Sequence, residues 1–182
     1  EETKVLMLNK QAGVICSNKD EEGRKSVFDF LPENTRWVMV GRLDLNTSGL
    51  LLFTNNGDLA NKLMHPSSEI DREYAVRVLG RVSDEDIKQL ISGIELDDGF
   101  AKFHKVTLGG GDGANRWYHV VVREGRKREV RRLWEALDFK VSRLIRTRFS
   151  DIRMPDNLRA NQSELLKPKQ VQALLNAVKL KD

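Results

Sequence analysis

The sequence has few of the residues that build metal and disulfide sites. It contains one cysteine, Cys16, and three histidines among 182 residues. One thiol excludes an internal disulfide and any cysteine-rich metal site, and it is typical of a protein of the reducing cytoplasm. The histidines, at positions 65, 104 and 119, lack the spacing of metal ligands. The sequence therefore predicts a cytoplasmic protein without a bound metal.

Long apolar runs are also missing. No run approaches the roughly 20 residues that cross a bilayer. The start shows no basic-then-apolar segment of the kind that directs secretion. We therefore expect no membrane contact. The chain begins at Glu1 rather than at a methionine, which indicates a trimmed piece of a longer protein that could have a preceding domain.

Motifs for nucleotide and acyl-transfer chemistry are absent as well. The segment GGGDG, residues 109–113, lacks the spacing of a phosphate-binding loop and lies between two strand-like segments. It therefore predicts a hairpin turn, with a phosphate-handling enzyme as a distant alternative. No recognisable nucleophile elbow accompanies a Ser-His-Asp or Cys-His set. The sequence predicts chemistry without a cofactor.

Positive charge is concentrated in one segment. Ten Lys or Arg and four Asp or Glu lie between Arg123 and Arg148, whereas the net charge of the whole chain is +4. A basic segment on a mildly acidic body predicts a polyanionic partner, with nucleic acid as the leading candidate. A solvated helix face is the alternative.

Apolar periodicity predicts an α+β domain with a mainly antiparallel mixed sheet and short helices. The predicted strands are residues 5–8, 14–16, 37–40, 50–53, 73–79, 102–108, 116–123 and 141–149. The predicted helices are residues 27–31, a segment that ends before Pro66, a segment between Ser83 and Gly93, and residues 126–137 and 171–178.

Three residues stand out as candidates for chemistry. Asp44 lies in GRLDLNTSG, a glycine-bounded loop between two buried strands, and such loops often carry catalytic residues; the alternative is a turn-capping role. Tyr74 shares a strand face with Val76 and Val78, so core packing is its alternative role. Arg131 borders the apolar stripe of a predicted helix and could extend to solvent.

The motifs resemble one known family. GRLDLNTSGLLLFTNNGDL resembles the signature of the RsuA/RluB family of pseudouridine synthases, and the similarity continues in REYAVRV (72–78) and EGRKREVRRLWEALDFKVSRLIRTRF (124–149). The resemblance implies a pseudouridine synthase fold around a central RNA-binding cleft. It also implies cofactor-free isomerisation of a specific uridine in ribosomal RNA by base flipping. One departure is Ser150, where the family usually has glycine.

The resemblance also implies site residues. Asp44 is the catalytic residue, as nucleophile or as base, and Arg131 holds its carboxylate. Tyr74 stacks on the flipped uracil and helps to remove its C5 proton, and Arg42 fills the space that the base leaves. Further RNA contacts are expected from Arg126, Lys127, Arg128, Arg132, Arg143 and Arg146.

Substrate and organisation follow from the same resemblance. The later segment is most similar to the branch acting on 23S rRNA, with the branch acting on 16S rRNA as the alternative. A non-catalytic module for rRNA binding or ribosome assembly is the rival from another functional class. We expect one catalytic domain spanning residues 1–182, without the small S4-type RNA-binding module that usually precedes such domains. It is expected to act on ribosomal RNA as a monomer.

Overall fold

The computed structural model describes residues 1–17 and 22–181. The strands are β1 (Val5–Lys10), β2 (Val38–Val40), β3 (Ser48–Thr54), β4 (Arg72–Leu79), β5 (Ile94–Leu96), β6 (Gly99–Ala101), β7 (Lys105–Asp112), β8 (Asn115–Val122), β9 (Lys140–Phe149), β10 (Ile152–Arg153) and β11 (Ser163–Leu165). The α-helices are α1 (Gly57–Met64), α2 (Asp84–Ser92), α3 (Glu129–Glu135) and α4 (Pro168–Ala177). Two short 3-10 helices cover Val27–Phe30 and Pro66–Ser68.

Nine strands form one sheet in the order β11-β1-β3-β9-β4-β8-β7, with β10 paired to β9 and β2 to β3. Its strand pairs are antiparallel except β3 with β9. A separate hairpin is formed by β5 and β6. These elements confirm the predicted α+β class and its mainly antiparallel sheet. None of the helices in the described part of the chain is long and apolar enough to cross a membrane.

The parallel contact joins the two halves of the sheet over two residue pairs, Ser48 with Ile145 and Gly49 with Arg146. A Cβ atom on Gly49 would lie 2.2 Å from the carbonyl oxygen of Arg146, and Gly49 has a φ of +112°. Only glycine combines this backbone conformation with so close an approach of two strands. Gly49 therefore allows β3, which follows the loop of Asp44, to reach β9.

Three apolar clusters cover the sheet. One lies under α1 and α4 against one face of β1 and β3, and a second lies on their other face beside the first 3-10 helix. The third fills the space between α2, α3 and the strands β4, β8 and β9, with Trp134 fully buried in it. Tyr74 packs against both the second and third clusters. Tyr74 therefore lies where these two clusters meet.

Three predicted elements differ from the structure. The segment GGGDG, predicted as a hairpin turn, lies largely within β7, and the turn itself is at residues 113–114. The predicted strand 14–16 is only a single parallel bridge between Ile15 and Ser26. The predicted helix 126–137 begins only at Glu129, because Arg128 adopts the left-handed conformation with φ +53°. The basic residues just before it therefore lie on a loop rather than on a helix face.

Ser150 also lies in the left-handed region, with φ +55°, in the turn between β9 and β10. Glycine adopts this conformation without the steric cost that a side chain brings. The glycine expected here from the resemblance therefore has a backbone explanation. Ser150 keeps the turn through its N–H, which donates to the Asp71 carbonyl oxygen at 2.8 Å.

Candidate active site

The loop 41–47 joins β2 to β3 and carries Asp44. Its backbone is held by the side chain of Lys10, at the end of β1. The Lys10 Nζ donates to the carbonyl oxygens of Thr47 at 2.8 Å, Asp44 at 3.2 Å and Leu45 at 3.4 Å. A buried cation thus satisfies carbonyls that would otherwise lose their hydrogen bonds to water.

Further contacts fix the loop from other sides. The Gly13 N–H donates to the Leu45 carbonyl oxygen at 2.8 Å. The Leu43 N–H donates to the Cys16 Sγ at 3.5 Å. The segment just after β1 therefore serves to hold this loop, which explains why it does not form the strand predicted there.

Lys10 was not recognised as a functional residue from the sequence. It is fully buried, with 0% of its surface exposed. Burial lowers the pKa of its amine, whereas the charges of Cys16 and Asp44 act in the opposite direction. One sequence feature could have indicated its burial. Lys10 ends the strand VLMLNK, which is apolar at its start and whose other residues are buried or half-buried.

Arg131 supports the same loop from α3. It is 9% exposed, and its Nη2 donates to the Asn46 carbonyl oxygen at 2.9 Å and contacts the Thr47 Oγ1 at 3.5 Å. Burial lowers the pKa of its guanidinium first, followed by the charge of Arg128, and the charge of Asp44 opposes both. Arg131 is therefore close enough to Asp44 to interact with it electrostatically.

The expected direct contact between the Arg131 guanidinium and the Asp44 carboxylate is not observed. Among the described side chains, no ion pair joins these two residues. The guanidinium is instead directed to the loop backbone two and three residues after Asp44. Arg131 therefore positions Asp44 through the loop.

A cavity of about 720 Å³ opens beside this loop. That volume lies within the usual range of small-molecule sites. Among the residues that the structure describes, its charged lining is Arg24, Arg42, Asp44, Arg72, Glu124, Arg126, Lys127, Arg128, Glu129 and Arg146. Seven of these are basic and three acidic, so the cavity attracts polyanions.

Several predicted site residues meet at this cavity. Asp44 and Tyr74 are half-buried in its wall, whereas Arg42, Lys127 and Arg128 are exposed around it. Apolar side chains, among them Val122 and Leu144, complete the wall near Tyr74. A carboxylate, an aromatic ring and exposed cations thus line one cavity.

Arg126 and Arg132, both predicted to contact RNA, are held by acids of this chain. The Arg126 guanidinium reaches Asp98 Oδ1 at 3.0 Å and Glu124 Oε1 at 2.8 Å. Arg132 donates to both carboxylate oxygens of Asp98, at 2.8 and 3.0 Å. Such bidentate pairs are strong and well oriented. Both arginines tie the loop before α3 and α3 itself to the β5–β6 hairpin, which favours a structural role for them.

Arg146 and Arg143, two other predicted RNA contacts, lie in different places. Arg146 lines the cavity but is 3% exposed, and its Nε donates to the Leu50 carbonyl oxygen at 2.8 Å. Arg143 is exposed and lies beside Trp117, away from the cavity lining. The structure does not bring Arg143 to the other predicted site residues.

Glu124 and Glu129 form a second feature that sequence reasoning missed. Glu129 is 3% exposed in the cavity wall and hydrogen-bonds to Glu124. Burial, the hydrogen bond and the charge of Glu124 raise the pKa of Glu129 to about 8, and the Arg126 charge opposes this. The same hydrogen bond lowers the pKa of Glu124. The sequence did not indicate that the two carboxyl groups share a proton, because both glutamates lie in an arginine-rich segment where ion pairs are expected.

Glu129 should make stability depend on pH. The folded chain keeps the Glu129 proton up to about pH 8, whereas an exposed glutamate releases it near pH 4.3. The free energy of unfolding should therefore fall as pH rises through this window, by about 2 kcal/mol between pH 6 and 8. Urea denaturation at both pH values measures the fall, which Glu129→Gln should largely abolish. Glu135→Gln, on the exposed side of the same helix, should leave it unchanged; equal falls in both variants would contradict the assignment.

The fold and this cavity define the class of protein. The chain belongs to the RNA pseudouridylate synthase family, whose model matches residues 4–136. It is 57% identical over 157 residues to ribosomal large subunit pseudouridine synthase B of Yersinia pestis, covering 85% of this chain and 49% of that protein. It is 50% identical over 180 residues to the protein of the same name from Vibrio vulnificus, covering 98% and 56%. The chain thus spans about half the length of these curated relatives.

A solved structure agrees with this assignment. The crystal structure of a pseudouridylate synthase superposes with a TM-score of 0.84 at 26% identity, covering 96% of this chain and 74% of the other. The predicted family and the predicted pseudouridine synthase fold are both confirmed.

Proposed function

We propose that this chain isomerises uridine to pseudouridine in ribosomal RNA, with the large-subunit 23S rRNA as its substrate. The observation that carries the proposal is the position of Asp44, on a loop held by buried hydrogen bonds in the wall of a basic cavity that Tyr74 also lines. Family membership and the names of the relatives support the reaction and the RNA.

The reaction needs one carboxylate and no other reactant. The glycosidic bond between C1′ and N1 of uracil breaks, the base turns, and a bond forms between C1′ and C5. The proton on C5 leaves, and N1 gains one, so atoms and charge balance within one nucleotide and water. Asp44 acts either as a nucleophile at C1′ or as a base toward the sugar, since both roles require the ionised carboxylate at the same place.

The cavity supplies the remaining functions. The target base must leave its stack, which costs on the order of a few kcal/mol. Tyr74 and the apolar wall receive the flipped uracil by stacking and packing. Arg42 takes the place of the flipped base, while Lys127 and Arg128 neutralise neighbouring phosphates. Lys10 and Arg131 keep the backbone of the Asp44 loop in place during these steps.

The proposal is tested by tritium release from RNA labelled at C5 of uridine. Deproteinised large-subunit rRNA should release tritium to water when mixed with this chain, and EDTA should not slow the release, because no metal takes part. RNA labelled at C5 of cytidine is the matched control and should release none. Binding of rRNA without release would instead support a non-catalytic module for rRNA binding or ribosome assembly. Faster release from small-subunit rRNA would place the substrate in 16S rRNA.

A further inference from the structure

A second basic site lies on the sheet face opposite the cavity. Trp117 of β8 pairs directly with Arg77 of β4, and Arg77 pairs directly with Arg143 of β9. Directly paired residues point to the same side of a sheet. Both guanidinium carbons lie 5.8 Å from the centre of the Trp117 ring. These three residues, here called the Arg-Trp-Arg row, form one continuous surface.

The row faces away from the predicted active site. Tyr74 lines the cavity, and Arg77 lies three positions further along the same strand. Because side chains alternate between the two faces of a strand, Arg77 projects from the other face. The same holds on β8. Val122 lies in the cavity wall, and Trp117, five positions earlier, therefore projects from the opposite face.

The positive charge of the row is not neutralised by the side chains that the structure describes. No ion pair among them involves Arg77 or Arg143. The nearby acid on β4, Glu73, is already paired with Arg148 and Arg153, at 3.3 Å each. Two guanidinium groups beside one indole repel each other unless an anion joins them.

The surface beside the row is open and partly pre-oriented. On β7, Gly110 stands opposite Trp117, and a Cβ atom added to Gly110 would meet nothing within 4 Å. The Arg77 Nε donates to the Ser142 Oγ at 2.9 Å, which orients the guanidinium. Lys140, exposed on β9, pairs with Leu79 two positions after Arg77 and adds a third cation to the same face.

We propose that the Arg-Trp-Arg row binds a single-stranded segment of the ribosomal RNA that also carries the target uridine. This inference rests on the proposed function. Bases stack on aromatic rings and on guanidinium planes, and open sheet faces with aromatic side chains suit single strands. One base stacks on the row while Arg77 and Arg143 neutralise two phosphates. RNA bound in the cavity thereby makes a second contact, on the opposite face of the sheet.

The test compares two double variants with the same loss of charge. Arg77→Gln with Arg143→Gln removes the row's cations, and Arg36→Gln with Arg159→Gln removes two other exposed cations. In filter binding at about 0.15 M salt, the row variant should bind deproteinised large-subunit rRNA about tenfold more weakly than the control. Its salt dependence should fall by about 1.4 in log–log slope, about 0.7 for each lost phosphate contact on a single strand.

A direct readout covers the case in which the row variant is less stable. Ultraviolet cross-linking of the unaltered chain to rRNA should attach nucleotides to the peptide that contains Trp117, and Trp117→Leu should remove that adduct. Equal rRNA affinity of the two double variants, or adducts only on cavity peptides, would overturn the inference. The inference would also be overturned if, in a longer form of the protein, another segment of the chain covered β8 and slowed its hydrogen exchange.

The two proposals can fail separately. If the chain releases no tritium but binds rRNA through the row, only the proposed function fails. If it releases tritium and the row variant binds and reacts like the control, only the second RNA site fails.

Discussion

The Asp44→Asn variant should lose tritium release by at least about a thousandfold, which is within the range that removal of a nucleophile or general base costs. The amide has nearly the shape of the carboxylate but can neither attack C1′ nor accept a proton from the sugar. The contacts of the loop backbone with Lys10, Gly13 and Arg131 do not use the Asp44 side chain. We therefore expect the variant to fold normally and to bind rRNA within about threefold of the unaltered chain, because the cations around the cavity remain.

Asp156→Asn provides the control, since it makes the same chemical change at an exposed position away from the cavity. It should release tritium at the normal rate. Asp44 would lose its proposed role if the Asp44→Asn variant kept more than about a tenth of the activity, far above what loss of an essential group allows.

Replacing Lys10 should affect both stability and turnover. Lys10→Met keeps an unbranched apolar side chain but removes the buried donor of the Thr47 carbonyl oxygen. It also removes one of the two donors of the Asp44 and Leu45 carbonyl oxygens, which keep the N–H groups of Thr47 and Gly13. Unsatisfied buried acceptors cost about 1–3 kcal/mol each when no water reaches them. We expect the free energy of unfolding to fall by about 3 kcal/mol in urea denaturation. The maximal rate of tritium release should fall at least tenfold in the folded variant, since a loop displaced by about 1 Å misplaces Asp44.

Lys4→Met is the matched control, because Lys4 is exposed and precedes the same strand. It should change stability by less than about 0.5 kcal/mol, as surface substitutions usually do. A normal maximal rate in a destabilised Lys10→Met variant would show that Lys10 supports the fold without positioning Asp44.

Local patterning predicted the longer strands of the fold. β3, β4 and β9 follow from apolar runs or alternation, and the helix α2 follows from a capping box in which the Ser83 Oγ accepts from the Asp86 N–H at 3.1 Å. The β5–β6 hairpin and the short strands β10 and β11 have two or three residues each. Elements this short depend on partners distant in sequence and carry little periodicity of their own.

The start of α3 was missed for a related reason. The basic pattern before Glu129 continues the helical spacing, but Arg126 bonds to Asp98, 28 residues earlier, and Arg128 takes a left-handed conformation. This tertiary contact outweighs helix propensity, which is a weak preference for any single residue. The loop that results places Lys127 and Arg128 at the cavity.

The candidate site could be predicted in part. Asp44, Tyr74 and Arg131 were identified by family resemblance, and the structure brings the first two to one cavity with Arg131 behind the loop. Lys10 and the pair Glu124–Glu129 were not identified, because their importance lies in burial. Burial of Lys10 depends on a loop more than 30 residues away, which local sequence patterns do not report.

The short parallel junction between β3 and β9 has a consequence for synthesis of the chain. Ser48 and Gly49 meet Ile145 and Arg146 almost one hundred residues later, and β1 is flanked on one side by β11, near the end of the chain. Contacts between such distant segments form late, because the intervening chain must first lose its freedom. A nascent chain that has not yet emerged past Arg146 lacks one wall of the cavity. The cavity is therefore complete only after the segment through Arg146 has left the ribosome.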